Sequence, residues 1–167
     1  IDASSRTRHP RATDLQNVVN MTNRQNIFAG NPGLQPVYTH DLAAQYIRTN
    51  AAKGRTFTVA MRFSARPNTI ADSLVIDVPS FVVDKEGTQL GAGNQYVRPI
   101  NLSGYWNLRT TLNYGFPVRW LRSNLNVKAG ITTGQLPSII NGMRNRLKGN
   151  SYNAGLTLGS NISEKTD

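Results

Sequence analysis

The stretch from Ile100 to Phe116 alternates between apolar and polar residues almost without interruption. Successive side chains of a β-strand point to opposite faces, so one face of this strand is apolar and the other is polar. Strands of soluble proteins are usually about five to six residues long. A strand of about seventeen residues needs an apolar environment along one face and a polar environment along the other, over its whole length. A membrane-spanning β-barrel provides both, with lipid on one side and a wet lumen on the other.

Composition and charge narrow the classes of protein. The 167 residues include no cysteine, which excludes disulfides, thiolate metal sites and thiol nucleophiles. A formal net charge of +10 is typical of proteins that bind nucleic acid or an anionic surface. No run of about 18 apolar residues is present, so no transmembrane helix is predicted. Because the sequence begins at Ile1, we expect a removed leader or a piece of a longer chain.

The same alternation recurs along the chain and predicts five main strands. It is clearest at 55–66, where five apolar residues from Phe57 to Ala65 occupy every second position. It is weakest at 38–50, where a helix from Asp41 to Ala52, closed by Gly54, is an alternative. Residues 70–78 are also β-rich. The predicted strands are approximately 38–50, 55–66, 97–117, 121–133 and 151–163.

The predicted connections differ in length. Those around 50–54, 117–121 and 163–167 are short, whereas 67–96 and 134–150 are long outer loops, with a short helix over 138–148 as an alternative in the second. Residues 1–37 form an irregular, extracellular loop segment rich in turn residues. Short turns alternating with long loops are typical of outer-membrane barrels, whose short turns lie on the periplasmic side. The predicted fold class is therefore all-β: an antiparallel up-and-down meander that forms part of a large transmembrane outer-membrane β-barrel.

Five strands cannot close such a barrel, because the smallest take about eight. Open strand edges in lipid would leave unpaired backbone groups at a cost of several kcal/mol each. We therefore expect residues 38–167 to require further strands. Aromatic residues near the short turns predict an interfacial girdle at that level: Tyr46, Phe57, Tyr114, Phe116 and Trp120.

One segment carries a family resemblance. Gly30-Asn31-Pro32-Gly33-Leu34-Gln35-Pro36-Val37-Tyr38-Thr39-His40-Asp41-Leu42 resembles the GNPxLxPxxS/TxxL pattern in the barrels of TonB-dependent outer-membrane receptors. Upstream, Arg8-His9-Pro10 and then Leu15-Gln16 resemble the RxP…LQ element that precedes it. The order of turns and Ile139-Ile140-Asn141-Gly142 are similar to the outer membrane protein β-barrel family, the C-terminal portion of TonB-dependent receptor-like proteins. Val37 departs from the pattern, since Glu often occupies that place.

The resemblance implies a barrel of about 22 strands occluded by an N-terminal plug. It implies a receptor that binds and imports a nutrient, such as a metal chelate, glycan or peptide. The implied partners are the remainder of its own barrel, the plug domain, an inner-membrane energy-coupling complex, outer-membrane lipid and an unknown nutrient ligand. Nucleic acid is not among them. The sequence contains neither a plug nor a coupling box.

Cations mark two regions of this predicted barrel. Arg62, Arg109, Arg122 and Lys128 occupy the polar face of strands, where they favour anionic solutes or pair with acidic groups of a plug. Arg144, Arg146 and Lys148 lie in the second outer loop, where they are solvated or meet anionic lipopolysaccharide.

Residues for catalysis or metal binding are sparse. The two histidines, His9 and His40, would need Asp14 or Asp41 to form a metal site. No nucleophile-elbow motif is present, and Gly91-Ala92-Gly93 lacks the helix that a dinucleotide loop requires. We therefore expect a protein that is not an enzyme, with no catalytic, cofactor-binding or metal residues assigned, no cofactor, and an unknown ligand site. The alternative function is a soluble or peripheral basic β-rich module that binds an acidic polymer or a partner protein.

Overall fold

The computed structural model describes residues 1–23, 25–83, 87 and 89–160. Over these residues the chain forms ten strands and one short helix. All ten strands belong to a single sheet, so the prediction of an all-β protein is confirmed. In chain order the elements are β1 (Asp2–Arg8), α1 (Ala12–Leu15), β2 (Val19–Asn20), β3 (Asn26–Ala29), β4 (Val37–Asn50), β5 (Arg55–Arg66), β6 (Thr69–Ile76), β7 (Gln95–Leu102), β8 (Tyr105–Val118), β9 (Ser123–Ile140) and β10 (Met143–Ser160).

Six antiparallel neighbours, in the order β1-β4-β5-β8-β9-β10, form a surface that we call the wall. Tight 3-10 turns join β4 to β5 at Ala51–Lys53 and β8 to β9 at Arg119–Leu121. The first turn ends at Gly54 with φ +59°, a conformation that glycine adopts without steric cost. Both turns lie at the same end of the wall, which we call the turn end.

The opposite end of the wall carries a small packed unit, the cap, formed by the described residues of 9–36 and 69–102. Its strands are β2, β3 and the β6–β7 hairpin, with β3 parallel to β7. A buried cluster holds the cap together: Ile27, Ala29, Val83, Leu90 and Tyr96, with Val19, Met21, Val75 and Phe81 packed against it. This cluster forms an apolar core within the cap.

The sheet differs from the predicted meander in two respects. It is mixed, because β3 pairs in parallel with β7 and the tip of β9 pairs in parallel with β6. It is also not closed, since over the described residues β1 pairs only with β4 and β10 only with β9. The cap causes the first difference, because Thr69–Ile76 of the predicted outer loop 67–96 forms β6, which pairs with the tip of β9 and with β7.

The long alternating stretch is divided between two strands. Residues 97–117, predicted as one strand, belong to β7 and β8 with a break at Ser103-Gly104. Gly104 has φ +105°, outside the range of ordinary strand residues, and its carbonyl oxygen accepts a 2.9 Å hydrogen bond from Gln135 Nε2. The chain therefore bends here while the residues on either side keep their alternation.

The second predicted outer loop is a strand hairpin. Residues 134–150 continue β9 and begin β10, joined by the two-residue turn Asn141-Gly142, and no helix forms over 138–148. Both turn residues have positive φ, as a type I′ hairpin turn requires. Pro137 suggested a loop, but it lies beyond the last β8–β9 pair at Gln135, and proline is tolerated where a strand lacks that ladder.

Three other segments also depart from expectation. Residues 2–8 of the expected loop segment 1–37 form β1 and pair with β4. The alternative helix over 41–52 does not form, because β4 continues to Asn50. The last predicted strand, 151–163, begins earlier at Met143; its residues 161–163 and the predicted turn at 163–167 lie outside the described residues.

The hairpin turn is fixed to the cap by Asn141. Its Oδ1 accepts a 2.7 Å bond from the Ile76 amide, and its Nδ2 donates 3.2 Å to the Ile76 carbonyl. The Asn141 amide also donates 2.8 Å to the carbonyl of Leu74. These three bonds join the tip of β9–β10 to the end of β6.

Candidate functional site: the two faces of the wall

One face of the wall, the outward face, is apolar. The pairs Phe57–Tyr114, Val59–Leu112 and Phe63–Leu108 place the apolar residues of β5 and β8 side by side. The neighbouring strands extend this face with Leu42, Ala44, Tyr46, Leu125, Val127, Ala129, Ile131, Tyr152, Ala154, Leu156 and Leu158. These side chains are open to the surroundings, with exposed fractions of 57% for Tyr46, 42% for Leu112 and 73% for Leu156. A large exposed apolar surface of this kind suits contact with lipid.

The apolar band crosses the wall at a slant. On β4 it extends from Tyr38 to Tyr46, interrupted by His40, and on β10 from Tyr152 to Leu158. Pairing through β5, β8 and β9 puts Tyr46, the last residue of the band on β4, in the same row as Ala154, in the middle of the band on β10. Barrel strands tilt by about 35–45°, so a level membrane meets successive strands at shifted positions. Tilted strands in a level membrane therefore require the apolar band to shift along the sheet from one strand to the next, as it does here.

On β8, where the band is long, its height matches the apolar thickness of a bilayer. On β8 it runs from Trp106 to Phe116, which at about 3.3 Å per residue is roughly 33 Å along the strand. A barrel tilt reduces this to about 25 Å along the membrane normal, the height of the apolar band in outer-membrane barrels.

Aromatic residues border the band at both ends. At the turn end, the ring of Tyr114 lies 6.4 Å from that of Phe57 and 5.2 Å from that of Phe116, and Trp120 is 83% exposed. Tyr46, Phe57, Tyr114, Phe116 and Trp120 thus gather where the sequence predicted a girdle. At the cap end the outward face carries Tyr38, Phe63 and Trp106. Sequence reasoning missed this second group, because it becomes visible only when the strands are aligned in register.

The opposite, inward face carries three of the four lumen cations that the sequence predicted: Arg62, Arg109 and Lys128. Arg62 and Arg109 are direct cross-strand partners on β5 and β8. On the adjoining strands, Arg6 forms a 2.8 Å ion pair with Asp41. Neither Arg62 nor Arg109 takes part in the ion pairs found among the described residues. Two like charges directly opposite each other are unfavourable, so this pair is a site where an anionic group would bind favourably.

The other two predicted lumen cations are placed differently. Lys128 lies on the inward face of β9 opposite Asn113, away from the arginine pair. Arg122 is not on a strand face; it ends the 3-10 turn in a left-handed conformation with φ +46°. The sequence pattern failed for Arg122 because β9 begins one residue later, at Ser123.

The two histidines are not brought together. His40 Nδ1 lies 3.1 Å from the hydroxyl of Ser5 on the wall, whereas His9 lines a cavity near the cap with Arg11 and Asp14. Among the described residues, no group of three or more His, Cys, Asp or Glu side chains could hold a metal ion.

The two elements that carry the family resemblance meet in the structure. The Asn31 amide donates 2.6 Å to the Asp14 carbonyl, and a Cβ on Gly30 would lie 2.1 Å from the Gln16 carbonyl oxygen. This close approach explains why glycine precedes the Asn-Pro turn. Asp14 itself is 6% exposed and accepts two bonds from Arg11, of 3.0 and 3.1 Å. The hydrogen bond to Asp14 and its negative charge raise the pKa of the Arg11 guanidinium.

The rest of the Gly30–Leu42 segment is bonded to β7 and to the turn between β5 and β6. Asn31 Nδ2 donates 3.0 Å to the Pro99 carbonyl. Gln35 and Asn101 exchange two hydrogen bonds of 2.8 and 3.1 Å, and Asn68 Nδ2 donates to the Pro36 carbonyl. Leu34 is 8% exposed. The Asn-Pro-x-Leu-x-Pro pattern therefore has a structural role in this chain.

Among the residues that the structure describes, no helix has the length and apolar character needed to cross a bilayer. No curated protein and no solved structure matches the chain. A family model described as the outer membrane protein beta-barrel family matches residues 1–167. The match agrees with the two-faced, slanted wall and assigns the protein to the outer membrane. The chain belongs to the outer membrane protein beta-barrel family.

Proposed function

We propose that the chain is part of a TonB-dependent type of receptor that binds a nutrient and imports it across the outer membrane. Further strands add to β1 and β10, the two edges of the wall, and complete a barrel around a plug domain. Backbone groups at an open edge in lipid would otherwise remain unpaired. The short turns face the periplasm and the cap faces outward from the cell. The protein acts by binding and transport and catalyses no chemical step.

The observation that carries the proposal is the Arg62–Arg109 pair on the inward face. The two exposed guanidinium groups sit opposite each other, and each can bind a carboxylate or phosphate through two parallel hydrogen bonds. A plug in the lumen would supply carboxylates, and an anionic nutrient would supply them during passage. The carboxylate of Asp41, on the neighbouring strand, is already paired with Arg6. This supports a partner from outside the chain for Arg62 and Arg109.

Photo-crosslinking in cells tests the plug. A photoreactive amino acid replaces Arg109, on the inward face, or Leu112, on the outward face of the same strand. We expect position 109 to crosslink to the plug region of the full-length protein, and position 112 to crosslink to lipid. Equal crosslinking from both positions, or plug crosslinks from Leu112 alone, would contradict the proposed wall.

Growth assays test import. Ferric chelates, oligosaccharides and peptides are supplied in turn as the only source of iron or carbon, to strains that lack either the full-length protein or the inner-membrane energy-coupling complex. We expect at least one of these compounds to require both proteins for growth. If neither deletion affects growth on any compound, or only one of them does, energised import by this protein is excluded for these classes.

A further inference from the structure

The cap-end half of β10 carries three cations on the outward face. β10 pairs with β9 in one uninterrupted register, from Met143 opposite Ile140 to Ser160 opposite Ser123. With no bulge, every second residue keeps the same face, so Arg144, Arg146 and Lys148 share the face of Tyr152 and Leu156. All three cations are exposed. They form a row, the cation ladder, on the face that meets lipid.

The ladder begins where the apolar band ends. Lys148 pairs with Gln135, which pairs with Trp106, and this row continues through Ala65 to His40. Toward the turn end, the next rows on β10 hold Asn150 and then the apolar residues that start at Tyr152. Arg146 and Arg144 lie beyond Lys148, away from the band. The ladder is therefore at the level of lipid headgroups.

The other face of the same segment carries no charge: Asn145, Leu147 and Gly149 alternate with the cations. Arg144 donates two hydrogen bonds to Ser103, 2.6 Å to its carbonyl and 3.1 Å to its hydroxyl, which fixes its position across β9. Arg146 and Lys148 take part in neither of the ion pairs among the described residues. Their charge is directed to the membrane side and not to the lumen.

We propose that the cation ladder binds the phosphorylated headgroup of a glycolipid in the outer leaflet. Phosphate monoesters carry oxygens that arginine binds through two hydrogen bonds and lysine as a point charge. A lipid fits better than a soluble phosphate, because the apolar residues of β10 that would contact acyl chains begin at Tyr152, beyond Asn150, on the same face as Lys148. A shallow hollow lined by Phe63, Ala65 and Trp106 adjoins the same level. The inference rests on the proposed orientation, with the cap outside the cell.

Lipid retention tests the proposal. The full-length protein and its Arg146→Gln/Lys148→Gln variant are placed in phosphatidylcholine nanodiscs that contain a minor fraction of bis-phosphorylated lipid A. Each cation near a membrane surface contributes a factor of about five, so removal of two weakens retention about 30-fold. Native mass spectrometry of the released protein measures the bound glycolipid. Heat-modifiable gel mobility shows that each variant is folded.

The matched control is Lys53→Gln/Arg55→Gln, which removes two cations at the turn end. We expect this control to retain lipid A as the unchanged protein does, and dephosphorylated lipid A to bind poorly to all three proteins. Loss of binding in the control instead of the ladder variant would reverse the orientation and overturn the proposal. Equal retention by both variants would also overturn it, as would equal binding of dephosphorylated lipid.

Two further measurements distinguish a lipid site from a soluble-anion site, and the failure of this proposal from the failure of the proposed function. Inorganic phosphate is added as a competitor; displacement of lipid A at low concentration would mean that the ladder is a soluble-anion site, which overturns the proposal. The growth assay is repeated with the ladder variant. Loss of lipid binding with normal growth supports the proposal independently of import, whereas absence of import with normal lipid binding rejects only the proposed function.

Discussion

The wall and the cap belong to one sheet but place their apolar side chains in opposite surroundings. In the cap, Leu90 is 1% exposed and Tyr96 is 7% exposed, within a packed cluster. In the wall, Leu112 and Leu156 are 42% and 73% exposed, so the described part of the chain leaves them uncovered. The hydrophobic effect acts on both, but in the cap the apolar environment is protein and in the wall it is lipid.

The largest expected difference is between two truncations of leucine. Leu90→Ala removes transfer free energy and leaves a cavity in the cap, at a cost of about 2–5 kcal/mol. Leu112→Ala removes the transfer term alone, about 2 kcal/mol or less, because lipid fills the space. Urea titration of the folded protein in lipid, with hydrogen exchange to locate the loss, measures both. Equal costs at the two positions would mean that Leu112 is packed against protein.

Substitutions at two adjacent residues of β8 compare the two faces of the wall directly. Leu112→Arg places a charge in the middle of the outward band and is expected to cost about 2–4 kcal/mol. Thr111→Arg, one residue earlier on the inward face, is expected to change stability little because the lumen is wet. Folding into lipid vesicles, read by heat-modifiable mobility, checks both variants. If Leu112→Arg and Thr111→Arg change the stability by the same amount, the outward face of the wall is not in contact with lipid.

A smaller effect is expected where the cap's chain segments meet. Gly30→Ala introduces a Cβ 2.1 Å from the backbone oxygen of Gln16, and we expect it to destabilise the cap by about 1–3 kcal/mol. Gly33→Ala is the control, since its Cβ would lie 3.3 Å from a side-chain atom of Asn31, which can adjust. The rate of limited proteolysis within the cap measures how often the cap unfolds locally. Similar proteolysis of both variants would show that the close approach is unimportant.

The smallest effect is the pH dependence of the cap. Burial raises the pKa of the Tyr96 phenol, partly opposed by the positive charge of Arg98. The folded cap therefore holds this proton more tightly than the unfolded chain, whose tyrosine titrates near pH 10. The stabilising contribution is complete below about pH 10 and is lost as the pH rises through the raised pKa.

Comparing unfolding near neutral pH with unfolding above about pH 10 tests this linkage. Tyr96→Phe should reduce the decline in cap stability, whereas Tyr152→Phe, on the exposed outward face of the wall, should leave it unchanged. A decline that is the same in wild type and Tyr96→Phe would assign the effect to other groups.

The wall was largely predictable because each of its strands has one lipid side and one wet side. The alternation at Phe57–Ala65 and Leu108–Phe116 survives in β5 and β8, and the positions of Arg62 and Arg109 on the polar face follow from it. The cap was not predictable, because its pairings are non-local: β3 joins β7 and the tip of β9 joins β6. No local period encodes such contacts, and turn residues at 67–96 and 134–150 suggested loops.

Sequence reasoning also could not align the strands. The opposition of Arg62 to Arg109, the ion pair of Arg6 with Asp41, and the row from Lys148 to His40 depend on register, which a single strand's pattern leaves open. The side of Arg62, Arg109 and Lys128 could be predicted, but their cross-strand neighbours could not. The three cations of the ladder were recognised in the sequence but were placed in a loop, because Gly142 and Gly149 made a strand there less expected.

The bonds between Asn141 and the end of β6 have a consequence for how neighbouring strands add to the wall. They anchor the far end of β10 to the cap, so that this edge is held in place before anything pairs with it. Any strand that joins β10 therefore meets a preset series of amides and carbonyls. The register of the added strand is therefore set by the hydrogen-bonding groups of β10. A shift of that register by one residue would turn the apolar side chains of the added strand toward water, and is disfavoured.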